Sequence, residues 1–448
     1  MKHLIFTGIA GCLATGLQAK QPNIIYIMTD QQTASALSCV NGSEVRTPNL
    51  DRLAADGIRF SQAYCAAPLS GPSRFAMITG TPPGREEMLV NNTAFPEKLK
   101  DQSLGNLVSK AGYTCVYAGK WHLPESSLPP AENGFGFHNL HDHNDIGLAE
   151  ASVAFLREDH PKPFFLIVSF DNPHNICEYA RNQNLPFAEI EDPPVNECPN
   201  LPPNHAPAPY EAEIIRQEQQ RHFPIYPVTG YTADDWRRYL NAYHRLVERI
   251  DTEIGKIIDA LIDIGLYDNA VILFSSDHGD GAAANMWNQK SALFEEVVNV
   301  PFIVKAPGMY RNNVVRTELI NAGLDLLPTI CDYAGAEIPD RCTGKSIRTL
   351  IEQENAQQIH SYVVTETMFD KSTTRGWMVR TSNHKYVLYD KGKYREQLFD
   401  MQVDKNERIN LAVEEKYSEL LNQHRKILNQ WIVDNRIAMT GRRIIPSD

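Results

Sequence analysis

NIIYIMTD, residues 23–30, is apolar from Ile24 to Met28 and closes on Thr29 and Asp30. A strand with one wet face alternates apolar and polar residues, so an unbroken apolar run predicts a strand covered on both faces. Three later runs share this character: FFLIVSF (164–170), AVILFSSD (270–277) and PFIVKA (301–306). Helical patterns lie between them. TPNLDRLAADG opens on Thr47 and Pro48 and closes at Gly57, and the longest pattern starts at Thr232 with Asp235 three residues on. It carries Leu246, Ile250, Ile254, Ile257 and Leu261 on one face and ends at Gly265. Strands alternating with helices predict an α/β fold with a large, mainly parallel sheet sandwiched by helices.

Two segments break this alternation. Residues 185–230 are crowded with proline and show little apolar periodicity, which marks an inserted loop or lid. After about residue 355, SYVVTETMF, GWMVRTSNHKYVLYD and EQLFDM alternate like antiparallel strands, and an amphipathic helix follows through Leu421, Ile427 and Trp431. The expected organisation is a signal over 1–19, a main domain over 20–355 and a small α+β subdomain over 356–448.

The signal rests on MKHLIFTGIAGCLATGLQA, which has a positive start, an apolar run and small residues near Ala19. Soluble export is the favoured reading, although IAGC, ending at Cys12, resembles a bacterial lipoprotein box. No later run is long and apolar enough to span a bilayer. A formal net charge of −12 with no basic stripe argues against nucleic acid or an anionic membrane as a partner, so an anionic ligand needs a local basic pocket. Without Cys12, seven of the eight cysteines remain, and they contain no CxxC pair. An odd number so spaced excludes a complete disulfide framework and a zinc ribbon.

In open parallel sheets, ligands bind at the carboxyl ends of the strands. Asp30 and Gln31 end one strand, and Asp277 and His278 end another. Taken singly, each aspartate reads as a helix cap. Together, two carboxylates, an amide oxygen and an imidazole predict a divalent-cation site. Within YCAAPLSGPSRFAMITG (64–80), Ser70 precedes an apolar segment that reads as a helix, whose free N-terminal amides favour an anion. On its own, such a serine reads as an N-cap.

The segment SGPSR resembles the signature of the type I sulfatases, (Cys or Ser)-x-Pro-x-Arg. Further pieces follow in that family's order: PNIIYIMTDQQ, TPNLDRLAADGIRFSQAYC, AGKWHL, NPH, SSDHGD, NQKSALFEEVVNVPFIVKAPG and the late EQLFDMQVDKNERINL. The resemblance covers nearly the whole chain and implies the alkaline phosphatase-like fold, with the small C-terminal subdomain and its antiparallel sheet beside the main one. It implies that Ser70 is oxidised to formylglycine by a maturation enzyme, as in Ser-type bacterial members. The hydrated aldehyde would then attack sulfur with one oxygen and expel sulfate by deprotonation of the other. It further implies that Arg74 holds the diol and that Lys120 and Lys290 bind sulfate oxygens. His122, two residues from Lys120 and hence on the same side of an extended segment, would be the partner of the diol, and His174 would protonate the leaving alcohol. The metal set becomes Asp30, Gln31, Ser70, Asp277 and His278, with calcium the expected ion. Gln31 stands where many relatives carry a second aspartate, His278 where many carry asparagine, and Asn285 where histidine is frequent.

The resemblance, with the N-terminal signal, implies an exported, periplasmic bacterial sulfatase acting on a sulfated carbohydrate, such as a glycosaminoglycan or mucin-type glycan fragment. Two alternatives stay open: a phosphonate or phosphodiester hydrolase on the same scaffold, and a non-catalytic glycan-binding relative. The intact cationic set argues against the second. Arg375, Arg380 and His384 of the C-terminal subdomain are further candidates for sugar contacts.

Overall fold

A computed structural model describes residues 21–123, 134–222 and 224–439; the expected signal and Cys12 lie outside the described residues. Ten strands belong to the main body: β1 (Ile24–Asp30), β2 (Ile58–Phe60), β3 (Ala63–Tyr64), β4 (Thr114–Gly119), β5 (His138–His141), β6 (Phe164–Pro173), β7 (Val271–Ser276), β8 (Phe302–Lys305), β9 (Val314–Arg316) and β10 (Ile320–Asn321). Eight of them form one sheet in the order β5-β4-β6-β1-β7-β8-β2-β9, while β3 and β10 pair separately. Neighbours from β5 to β7 are parallel, as are β2 and β9. The exception is β8, the PFIVKA run, which is antiparallel to both β7 and β2. Its apolar sequence reports burial on both faces and carries no information about direction.

That two-sided burial is what the β1 sequence predicts. Ile24, Tyr26 and Met28 join one core with Phe165, Ile167 and Leu273, while Ile25 and Ile27 join another with Leu166, Val168 and Phe274. The second core is closed by Ile250, Ile254, Ile257 and Leu261 of the helix Ala233–Asp263. This helix begins with the expected reciprocal cap: the Thr232 hydroxyl accepts from the Asp235 amide (3.3 Å), and the Asp235 carboxylate accepts from the Thr232 amide (2.8 Å).

The insertion at 185–230 is more ordered than its composition suggests, because it contains the helix Glu213–His222. Only Ile214 and Ile215 supply apolar burial there; Glu218 and Gln219 are buried polar residues, so the usual apolar stripe is absent. The C-terminal part forms an antiparallel sheet of β11 (Tyr362–Phe369), β12 (Thr374–Thr381), β13 (His384–Tyr389) and β14 (Glu396–Asp400). The helix Ser418–Asp434 covers it through Leu428 and Trp431, which pack on Trp377, Tyr386 and Leu398. No helix among the described residues is long and apolar enough to cross a membrane. The seven cysteines from Cys39 to Cys342 are free thiols.

Candidate active site

Four adjacent parallel strands, β4, β6, β1 and β7, end at one edge of the sheet. Their register sets Gly119 beside Ser169, and Met28 between Ser169 and Ser275. The residues just beyond this row, Lys120, Asp171, Asp30 and Asp277, are thereby delivered side by side. All four are buried.

Arg74 ties this edge to the Ser70 helix. From the second turn of Ser70–Thr79, its guanidinium donates to Asp277 Oδ2 (2.9 Å), Asp30 Oδ2 (3.2 Å), Ser169 Oγ (2.9 Å) and the Lys120 carbonyl (2.5 Å). Ser70 is the first residue of the helix, and Leu69 occupies the cap position, so the hydroxyl is not spent on capping. Its Oγ lies 3.1 Å from His278 Nε2 and 3.4 Å from Asp30 Oδ1.

The histidine tautomer follows from its other nitrogen. Nδ1 of His278 donates to the Gly279 carbonyl at 2.9 Å, which leaves the Nε2 lone pair facing Ser70 and the carboxylates. Gly279 is required at that point, because a Cβ there would sit 2.1 Å from the Glu296 carbonyl. Burial pushes the His278 pKa down to about 3, so the imidazole is neutral and able to bind a cation.

Asp30, Asp277 and His278 each offer a ligand atom, all within 4.8 Å of one another. Burial and then the facing Asp30 carboxylate push Asp277 up to about 7. For Asp30, burial acts in the same direction, but Lys120, His174 and Arg74 outweigh it and hold the carboxyl well below its usual range. Two buried carboxylates at this distance, with a neutral imidazole and a hydroxyl, fit a divalent cation. Gln31 is the remaining expected ligand. Its Nε2 donates to Asp280 Oδ2 (2.7 Å) and its Oε1 accepts from Lys290 Nζ (3.1 Å), so it links the cluster to Lys290.

Lys120 donates to Asp30 and Asp171 at 2.9 and 2.7 Å. Burial opposes its charge, but Asp171 and Asp30 outweigh that cost and hold the ammonium above its usual range. His122 departs from the extended geometry that an i, i+2 relation with Lys120 supposes: its φ is +54°, so the chain turns there. Its Nδ1 is buried without a hydrogen-bond partner among the described residues, and burial followed by Lys120 lowers its pKa to about 3. His174 has Nδ1 4.0 Å from Asp171 Oδ1 and Nε2 3.9 Å from Cys177 Sγ. Burial, Lys120 and Lys290 hold it well below the usual histidine range.

Several residues of the site went unmarked in the sequence. Asp171 binds Lys120 and lies 3.3 Å from His143 Nε2, and it directly follows the apolar run FFLIVSF of β6 as Thr29 and Asp30 follow that of β1, so the strand-end rule applies to it equally. Asp280 is the hub of the following loop, accepting from Gln31, Tyr239, and the amides of Ala282 and Gln289. Left-handed non-glycine residues cluster here, namely Gln31, His122, Asn285, Gln289 and Ser291. Such conformations persist only where the surroundings dictate them. Asn285 is fully buried, and neither atom of its amide has a hydrogen-bond partner among the described residues.

The C-terminal candidates serve other contacts. Arg375 lies over the Trp377 ring, Arg380 donates to Tyr64 Oη at 2.8 Å and His384 packs on His424.

Comparison with known proteins establishes the family. A curated relative from Bacteroides thetaiotaomicron, a delta 4,5-hexuronate-2-O-sulfatase, is 31% identical over 96% of this chain and 92% of its own. An arylsulfatase from Clostridium perfringens is 29% identical over 91% of this chain and 94% of its own. The solved structure of a 2-O GAG sulfatase superposes with a TM-score of 0.81 at 28% identity, covering 96% of this chain and 95% of that one. The model of the C-terminal region of N-sulphoglucosamine sulphohydrolase matches residues 284–434. The Sulfatase model matches residues 22–336, the span that carries β1, the Ser70 helix and both aspartate-bearing strand ends, and by that match the chain belongs to the sulfatase family.

Proposed function

We propose that this sulfatase hydrolyses the sulfate ester of a sulfated carbohydrate at residue 70, matured to formylglycine. The observation that carries the reading is the position of Ser70 Oγ at a helix head, 3.1 Å from His278 Nε2 and 3.4 Å from Asp30. A hydroxyl used as an N-cap faces its own helix, whereas this one faces the Asp30 carboxylate and the His278 imidazole. The relatives named for hexuronate and GAG sulfates support the choice of a carbohydrate.

In this reading Asp30, Gln31, Ser70, Asp277 and His278 hold a divalent cation, calcium by preference. When bound, the cation supplies positive charge that favours the ionised nucleophile and the anionic ester. Formylglycine supplies a hydrated aldehyde with two hydroxyls, one for attack and one for release. The remaining work falls to the chain. Arg74 locks Asp30 and Asp277 in place, and Lys120 and Lys290 bind sulfate oxygens. His174 delivers a proton to the leaving oxygen, and His122 removes one from residue 70 when sulfate departs. Asp171 holds Lys120 and orients His174.

We further assign residues 1–19 to an export signal, 20–355 to the catalytic domain and 356–448 to the C-terminal subdomain. The location is periplasmic, with anchoring through Cys12 as the alternative, and a formylglycine-generating enzyme is the maturation partner.

The test is sulfate release from sulfated mono- and disaccharides, with a phosphonate monoester as the competing substrate. Treatment with EDTA should abolish release, and added Ca2+ should restore it. Isothermal titration should show Ca2+ binding by the apo-protein and none by Asp277→Ala. Full activity in the chelated protein would make the Asp30, Asp277 and His278 cluster structural, and preferred turnover of the phosphonate would replace the sulfatase reading.

A further inference from the structure

Beside the Ser70 helix, a cavity of about 270 Å3 is bounded by Leu69, Gln289 and Lys290, and by parts of the chain far apart in sequence. Arg181 comes from the end of the helix Ile176–Ala180, His222 and Tyr226 from the insertion, Phe369 from the end of β11 and Lys371 from the turn beyond it. We propose that this cavity is the subsite for a single sugar ring bearing a carboxylate in addition to its sulfate ester, with Arg181 and Lys371 as the carboxylate-binding pair. The proposal rests on the sulfatase reading above and names the substrate class it serves.

Its charge is the first reason. Arg181, Lys290 and Lys371 line the cavity, against Asp370 as the one carboxylate among the described residues of its wall, in a chain whose formal net charge is −12. Lys290 bonds to Gln31 Oε1 and so belongs to the sulfate side of the site. That leaves two cations with no sulfate to bind, which calls for a second anionic group on the same ligand.

The second reason is how Arg181 is held. Its guanidinium lies 4.7 Å from the centre of the Tyr226 ring and donates to the Tyr226 hydroxyl, while Glu178 approaches Nη1 at only 3.5 Å. A planar fork fixed by an aromatic ring suits the planar oxygens of a carboxylate. His222 donates from Nδ1 to the Glu218 carbonyl at 2.9 Å, which leaves Nε2 for a sugar hydroxyl.

Asn288 is the third reason. It lines the same cavity, is 5% exposed, and its Nδ2 has no hydrogen-bond partner among the described residues. A buried amide left unpaired is costly, and a sugar hydroxyl or ring oxygen would satisfy it. Tyr226, Trp287 and Phe369 give the apolar wall that the face of a pyranose ring packs against. A volume at the small end of ligand sites accommodates one ring.

The experiment compares four sulfated compounds: a uronic acid glycoside, its carboxyl-reduced alcohol, a disulfated neutral sugar and a simple aryl sulfate. Wild-type kcat/KM should favour the acid over the alcohol by roughly ten- to hundred-fold, the range expected for one charge-assisted contact. Arg181→Gln and Lys371→Ala should each erase most of that preference while changing aryl sulfate turnover less than about threefold. Lys371 is exposed in a turn, so its variant remains informative even if Arg181→Gln folds poorly. Equal turnover of acid and alcohol by the wild type would overturn the subsite, as would a preference for a disulfated neutral sugar over the monosulfated acid. Either result leaves the sulfatase reading intact; failure to release sulfate from any compound, aryl sulfate included, would remove that reading and this one with it.

Discussion

Ser70→Ala should lose sulfate release by a factor on the order of 10^6, the scale seen when a covalent nucleophile is removed. The protein should remain folded. The helix that begins at residue 70 is capped at Leu69 and does not depend on the serine side chain. What the substitution removes is the oxygen between His278 Nε2 and Asp30 Oδ1. The same position carries a chemical signature in active protein. The peptide containing residue 70, taken from enzyme matured in a host with the modifying system, should be lighter than the unmodified peptide by one pair of hydrogens. Protein expressed without that system should show plain serine and little turnover. Active enzyme with only serine at position 70 would remove formylglycine from the mechanism, and an active alanine variant would remove the nucleophile altogether.

How far the sequence revealed this site depends on what kind of signal each residue left. Asp30 and Asp277 were legible because each ends a strand apolar on both faces, and topology then brings those ends together. The same rule covers Asp171, whose signal was hidden because DNPHN drew the reading to His174 three residues later. Arg74 was legible only through a motif, since a guanidinium bound to both aspartates looks on paper like any arginine near a helix start. Strand direction was hidden for β8, because burial on both faces is all that PFIVKA encodes. The helix Glu213–His222 was hidden because its buried face is half polar. Backbone conformation was not legible at all. Nothing in GKWH announces that His122 turns to a positive φ, and the argument from extended spacing fails there. The cavity beside the Ser70 helix was equally hidden, because its walls come from segments nearly 200 residues apart, counted from Arg181 to Lys371. Long-range convergence of that kind leaves no local pattern.

The assignment of acid and base yields the second large effect. A sugar alkoxide leaves poorly, so cleavage of its S–O bond needs a proton in the transition state, worth about 10^2- to 10^4-fold. A phenolate leaves without that help. His174→Ala should therefore lose about that factor on a sulfated sugar and comparatively little on an aryl sulfate. His122→Ala should be impaired on both, because removal of a proton from residue 70 follows either substrate. The pH dependence separates these roles from mere binding. In the free protein, burial comes first in holding both imidazoles below their usual range, with Lys120 and Lys290 adding to it. An anionic ester bound between those lysines opposes their effect and favours the imidazolium, so both pKa values should rise in the complex. An acid works only while protonated. For the sugar ester, kcat should fall as pH rises through the His174 pKa of the complex, whereas the aryl sulfate should lack that falling limb. The limb should also vanish in His174→Ala. Equal losses for His174→Ala on the two substrates, or a falling limb shared by both, would make His174 a binding residue and leave the proton to another donor, with His143, 3.3 Å from the same Asp171 carboxylate, the next to test.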